Sequence, residues 1–88
     1  MNCQGDEEMF SKELFGQRLL ALRREKKEKQ ATLAELLGVS VGHISEIERG
    51  NRSTSAERIV LLCEHYKVSA DYLLGLTDDP RPRRIKEG

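Results

Sequence analysis

The sequence is poor in what catalysis, secretion or a membrane would require. Its two histidines, His43 and His65, fall on different predicted helices. No serine or cysteine stands where a neighbouring base would activate it, and there is neither a glycine-rich phosphate loop nor a paired-cysteine zinc spacing. An enzyme is therefore not expected, nor a cofactor or a metal. Two cysteines, Cys3 and Cys63, make no disulfide framework. Cys63 lies on the apolar face of a predicted helix, where a reduced, buried thiol is expected. No apolar run approaches the ~20 residues of a membrane helix. Asp6, Glu7 and Glu8 stand where a signal peptide would be basic, so a cytoplasmic chain without a membrane partner is expected.

Net charge is lacking too, because 15 basic side chains balance 15 acidic ones. Nucleic-acid-binding domains are usually basic, so this total argues against such a partner. The distribution argues the other way. Residues 11–29 carry seven positive charges against three negative, and Arg81, Arg83, Arg84 and Lys86 add a basic tail. At 88 residues the chain allows one small domain of modest burial, for which dimerisation would be a useful supplement.

What is present is helical punctuation. Residues 1–10 lack periodicity and are expected to form a flexible acidic arm. Ser11 reads as an N-cap, with Phe10 and Phe15 as a hydrophobic staple, opening a helix from about Lys12 to Lys26. Within it Phe15, Leu19 and Leu22 face inward, and Lys26 can cover their edge with its stem. A short helix, Gln30 to Leu37, follows with Lys29 in place of a Ser or Thr cap. A cation there is locally unfavourable, so either a phosphate binds at that end or the cap is poor and packing compensates.

Gly38 can end this helix in the left-handed conformation, and Ser40 caps the next. Val39 and Ile44 form a second staple, and Ile44 and Ile47 turn inward. Gly50 stops that helix. Thr54 and Glu57 form a capping-box pattern for a helix reaching Tyr66, with Ile59, Leu62, Cys63 and Tyr66 on its core face and His65 on its surface. Val68, Ser69 and Leu73 repeat staple and cap for a fifth helix, stopped at Gly75. Asp79 to Arg83 carries both prolines and cannot continue a helix, so residues 77–88 are expected to be an extended basic tail.

The pair of helices in residues 30–49, QATLAELLGVSVGHISEIER, with RLLALRREK before it and IERGNR and VSADYLLGL after it, resembles the helix-turn-helix of the phage repressor and Cro family. The likeness runs from about Phe15 to Gly75. It implies an all-α, compact five-helix, lambda repressor-like domain over residues 11–76, and a sequence-specific regulator of transcription, most simply a homodimeric repressor. The helix from Ser40 to Arg49 would enter the major groove of double-stranded DNA. By the resemblance, phosphate contacts fall on Lys29, Gln30, Arg49, Asn51 and Arg52. Base edges fall to Ser40, Val41, Gly42, His43, Ser45 and Glu46, a set without the bidentate Arg, Lys, Asn or Gln pairings.

Arg23 and Glu48 occupy positions where the family pairs an arginine with a glutamate; otherwise Arg23 is one member of a solvated basic run. Glu28 replaces an apolar residue common in the family. Tyr72, Leu74 and Leu76 either offer a dimer surface or complete the monomer core. A second reading, from neutral charge and the unusual recognition helix, is a protein-interaction module on the same fold, an antitoxin or adaptor binding a protein partner.

Overall fold

A computed structural model describes residues 10–82. The acidic residues 1–9, with Cys3, and the basic Arg83, Arg84 and Lys86 lie outside the described residues. Among the described residues the chain forms five helices and no strand: α1 (Lys12–Glu25), α2 (Gln30–Leu37), α3 (Val41–Glu48), α4 (Ala56–Tyr66) and α5 (Ala70–Leu74).

Local chemistry sets most of the boundaries. The hydroxyls of Ser11, Ser40 and Ser69 accept from the backbone N–H of Leu14, His43 and Tyr72, each satisfying one of the donors a helix start leaves free. Gly38, Gly50 and Gly75 have φ of 70, 84 and 85° at the ends of α2, α3 and α5, a conformation that costs a glycine little. The start of α4 differs from the expected capping box. Ser55, not Thr54, accepts from Arg58 N–H, and the helix begins at Ala56. Thr54 is displaced one position outside, its hydroxyl buried without a hydrogen-bond partner among the described residues.

The core draws on every helix: Phe15 and Leu19, Leu33 and Leu37, Ile44 and Ile47, Leu62 and Tyr66, and Leu73, with Ala34 and Val68. Phe10 packs against Phe15 with ring centroids 6.1 Å apart. Helix α3 lies against both α1 and α2, while α4 and α5 close the other side. Helices α1 and α3 approach closely at Gly16, where a Cβ would stand 2.2 Å from the Ile47 carbonyl oxygen. Only a residue without a side chain lets α3 lie this near, and its position is set from that contact.

The tail is not free where it leaves the domain. Pro80 C=O accepts from Ser69 N–H at 3.0 Å, and Arg81 folds onto the Asp79 carboxylate at 2.7 Å. Arg18 holds the same region, donating to the carbonyls of Tyr72 and Thr77 and to Asp78, with its guanidinium 4.1 Å from the centroid of the Tyr72 ring. Tyr72 is thus half-buried and occupied within the monomer, and Leu74 is also half-buried, whereas Leu76 is 54% exposed. Of the three expected dimer-surface residues, Leu76 has the most open surface.

Candidate nucleic-acid interface

Helix α3 is fixed by one face and bare on the other. Ile44 and Ile47 are fully buried, while Val41 is 45% exposed and Gly42 is open to solvent. A Cβ on Gly42 would meet nothing closer than the Ser40 hydroxyl oxygen at 3.8 Å, so no internal packing demands glycine there. Ser45 and Glu46 are half-exposed on the same rod. His43 departs from its expected base-edge role: its Nε2 is buried and lacks a partner among the described residues. Burial, reinforced by the positive charges of Arg52 and Arg58, pulls its pKa below the ordinary histidine value. Ser40, Val41 and Gly42 are exposed and Ser45 and Glu46 half-exposed, so these expected base-edge residues are more open than the ring of His43.

The rod is held at its far end by ions. Arg23 Nε donates to Glu48 Oε2 at 2.6 Å and Nη2 to Oε1 at 3.0 Å, a two-pronged pair that is itself largely buried. That bond raises the Arg23 pKa above the ordinary arginine value against the opposing effect of burial. Gln30, expected on phosphate, instead donates its amide to Glu48 Oε1 at 2.9 Å. Its side chain ties the start of α2 to the end of α3, so its contribution at this surface is to place backbone.

The turn before α2 is pinned from both sides. Arg23 Nη1 donates to the Glu28 carbonyl at 2.8 Å. The Glu28 carboxylate accepts from Tyr66 Oη and lies 2.6 Å from His65 Nε2, each contact using one oxygen. His65 is accordingly half-buried, not a surface residue, because this glutamate needs partners inside. Hydrogen bonds from Tyr66 and His65 offset the cost of burial and leave the Glu28 carboxyl below its ordinary value. Lys29 is exposed at the start of α2, a helix end with no side-chain cap, so a cation stands beside N–H groups that no side chain satisfies.

Arg49, Asn51 and Arg52 line the exit from α3 and are exposed. Two of them are engaged: Arg49 Nη1 lies 3.3 Å from Glu46 Oε2, and Asn51 Nδ2 donates to Glu46 Oε1 at 3.1 Å. Arg52 has no ion pair among the described residues. Arg58, on α4, donates to the Leu37 carbonyl at 3.3 Å and so satisfies an end group of α2.

A helix bare on its outer side and held on a fixed scaffold, with Lys29 and Arg49 near the end that Gln30 ties to α2, occurs in known proteins. A family model described as helix-turn-helix matches residues 19–73. The chain belongs to that family. It is 37% identical over 70 residues to an uncharacterised HTH-type transcriptional regulator of Bacillus subtilis, YobD, an alignment spanning 80% of this chain and 62% of that protein. A second such regulator of B. subtilis, YazB, is 43% identical over 61 residues, 69% of this chain and 88% of the relative. Among solved structures, the c2 repressor of Salmonella phage P22 in complex with a synthetic operator superposes with a TM-score of 0.65 at 38% identity, covering 69% of this chain and 92% of that one.

Within this helix-turn-helix domain, the structural roles of two residues were not read from the sequence: Gly16, and Arg58, which the resemblance offered only as a further phosphate contact. Gly16 sits inside a predicted helix, where glycine is disfavoured, and that anomaly was the available signal for a close helix crossing. The carbonyl-directed role of Arg58 had no signal, since its partner lies 21 positions away.

Proposed function

We propose that the chain is a double-stranded-DNA-binding regulator of transcription, a repressor that acts as a homodimer with α3 in the major groove. The observation that carries this reading is the bare outer side of α3, from Val41 to Glu46, on a helix whose opposite side is fully buried and whose flanks carry Lys29, Arg49 and Arg52. Lys29, Arg49, Asn51 and Arg52 would meet phosphates. Val41 would pack on a thymine methyl, Ser45 would give a single hydrogen bond, and Glu46 would accept from a cytosine amino group. With few cations per subunit, one domain would bind weakly and lose affinity steeply with salt. Two subunits on half-sites about one helical turn, ~34 Å, apart would supply the rest. The operator-bound relative supports duplex binding by this fold. No helix among the described residues is long and apolar enough to cross a membrane.

Electrophoretic mobility shift against a randomised duplex pool, at low and moderate salt, tests the reading. Binding should fall on Arg52→Ala with the fold intact. Binding indifferent to Arg52→Ala would favour the alternative, a protein-interaction module. That alternative draws on Val60 and Leu76, exposed by 53% and 54%, which offer apolar surface away from α3.

A further inference from the structure

Glu46 stands at the C-terminal end of the bare side of α3 and holds two of the groups expected to meet phosphate. Its Oε2 lies 3.3 Å from Arg49 Nη1, its Oε1 accepts from Asn51 Nδ2 at 3.1 Å, and its backbone carbonyl accepts from Asn51 N–H at 2.9 Å. One carboxylate thus ties down both the charge at the end of α3 and the first side chain of the loop beyond it. An ionised carboxylate only accepts hydrogen bonds, so it has nothing to give a phosphate and repels one. In the major groove its suitable partner is the amino group of cytosine.

We propose that Glu46 is a specificity-determining brake, coupling base recognition to phosphate contact. This rests on the duplex binding proposed above. On an unfavourable sequence the carboxylate keeps Arg49 and Asn51, so neither reaches the backbone, and its own charge opposes approach. Where a cytosine amino group is presented, that donor takes over the carboxylate and frees Arg49 and Asn51 for phosphates. Arg52, which has no ion pair among the described residues, supplies attraction in both situations and is outside the brake. The exposed pair is weak enough for a base donor to displace it, as surface ion pairs generally are.

The test uses the full chain and two probes, a pool of random-sequence 20-base-pair duplexes and the sequence enriched from it by selection. Glu46→Gln and Glu46→Ala should bind the random pool several-fold more tightly than the wild type, with a smaller ratio of selected to random affinity. The slope of log affinity against log salt on the random pool should steepen by about one, the value for one further phosphate neutralised. Arg49→Ala should weaken random-pool binding more in the Glu46→Ala background than in the wild type, which a purely structural role for Glu46 would not produce. Unchanged slopes and an unchanged affinity ratio, with duplex binding intact, overturn the brake alone. Failure of the wild type to bind any duplex at low salt overturns it together with the regulator reading.

Discussion

Removing the Glu48 carboxylate should cost this domain a large part of its stability. The side chain is 4% exposed and its partner Arg23 is 14% exposed. Three donors converge on the carboxylate: Arg23 Nε at 2.6 Å, Arg23 Nη2 at 3.0 Å and Gln30 Nε2 at 2.9 Å. After Glu48→Ala the guanidinium keeps its contact with the Glu28 carbonyl but is otherwise stranded, and the Gln30 amide loses its acceptor. Breaking a buried pair from one side costs roughly 3–5 kcal/mol, chiefly through the charge left behind. At about 4–8 °C per kcal/mol for a domain of this size, the lower end already implies a fall in Tm of about 12 °C. Glu46→Ala, two positions earlier on an exposed site, should stay within about 0.5 kcal/mol of the wild type. Replacing both partners with apolar side chains, as in Arg23→Met with Glu48→Leu, should recover much of the loss because no charge is then buried. Thermal unfolding followed by circular dichroism measures all four proteins. Equal melting temperatures for Glu48→Ala and Glu46→Ala would refute the assignment of this pair as the tie between α1 and α3.

Two glycines should respond in opposite directions in urea unfolding. Gly16→Ala forces a Cβ against the Ile47 carbonyl and should destabilise by about 1–3 kcal/mol, whereas Gly42→Ala, in open space, should stabilise by up to about 1 kcal/mol. His43 has a folded pKa below its unfolded value, so the unfolded chain binds the proton first, and stability should fall as pH drops below about 6.5. His43→Leu should lose less stability than the wild type between pH 7.5 and 5.5; parallel curves would show that this ring does not titrate differently on folding.

The elements legible in the sequence were those written in local chemistry. Ser11, Ser40 and Ser69 each cap a helix through a contact three residues away, Gly38 ends α2 in the left-handed conformation expected of it, and Gly75 ends α5 where a stop was expected. Local rules also have a limit of resolution, shown at Thr54 and Ser55. Ser53, Thr54 and Ser55 all carry hydroxyls before α4, and it is Ser55 that caps the helix while the Thr54 hydroxyl is left without a partner among the described residues. The pairing of Arg23 with Glu48, 25 positions apart, came from resemblance, since no periodicity connects them. Glu28 could be recognised as an unusual residue but not resolved, because Tyr66 and His65 lie 38 and 37 positions away. The same holds for Gln30. Its place at the start of a helix was readable, while its inward turn depended on where the end of α3 would lie. Prolines correctly barred a helix after Asp79, but the bond from Ser69 to Pro80 is tertiary and had no sequence signature.

A formal charge of zero carries little weight against a duplex-binding surface, because the sum treats every carboxylate as equivalent. Glu48 and Glu28 are consumed inside the domain by Arg23, Gln30, Tyr66 and His65. Asp79 is paired with Arg81 in the tail segment, which is hydrogen-bonded to the start of α5. On the exposed side of α3 the relevant acid is Glu46. Exposed charges farther apart than the Debye length, about 8 Å at physiological salt, are largely screened from one another, so position outweighs the total. Asp79→Asn and Glu46→Gln change net charge by the same amount. Binding of a random duplex pool should rise several-fold for Glu46→Gln and hardly change for Asp79→Asn. Equal increases in the two variants would mean that the attraction follows overall charge, and the local assignment of the surface to α3 would then have to be given up.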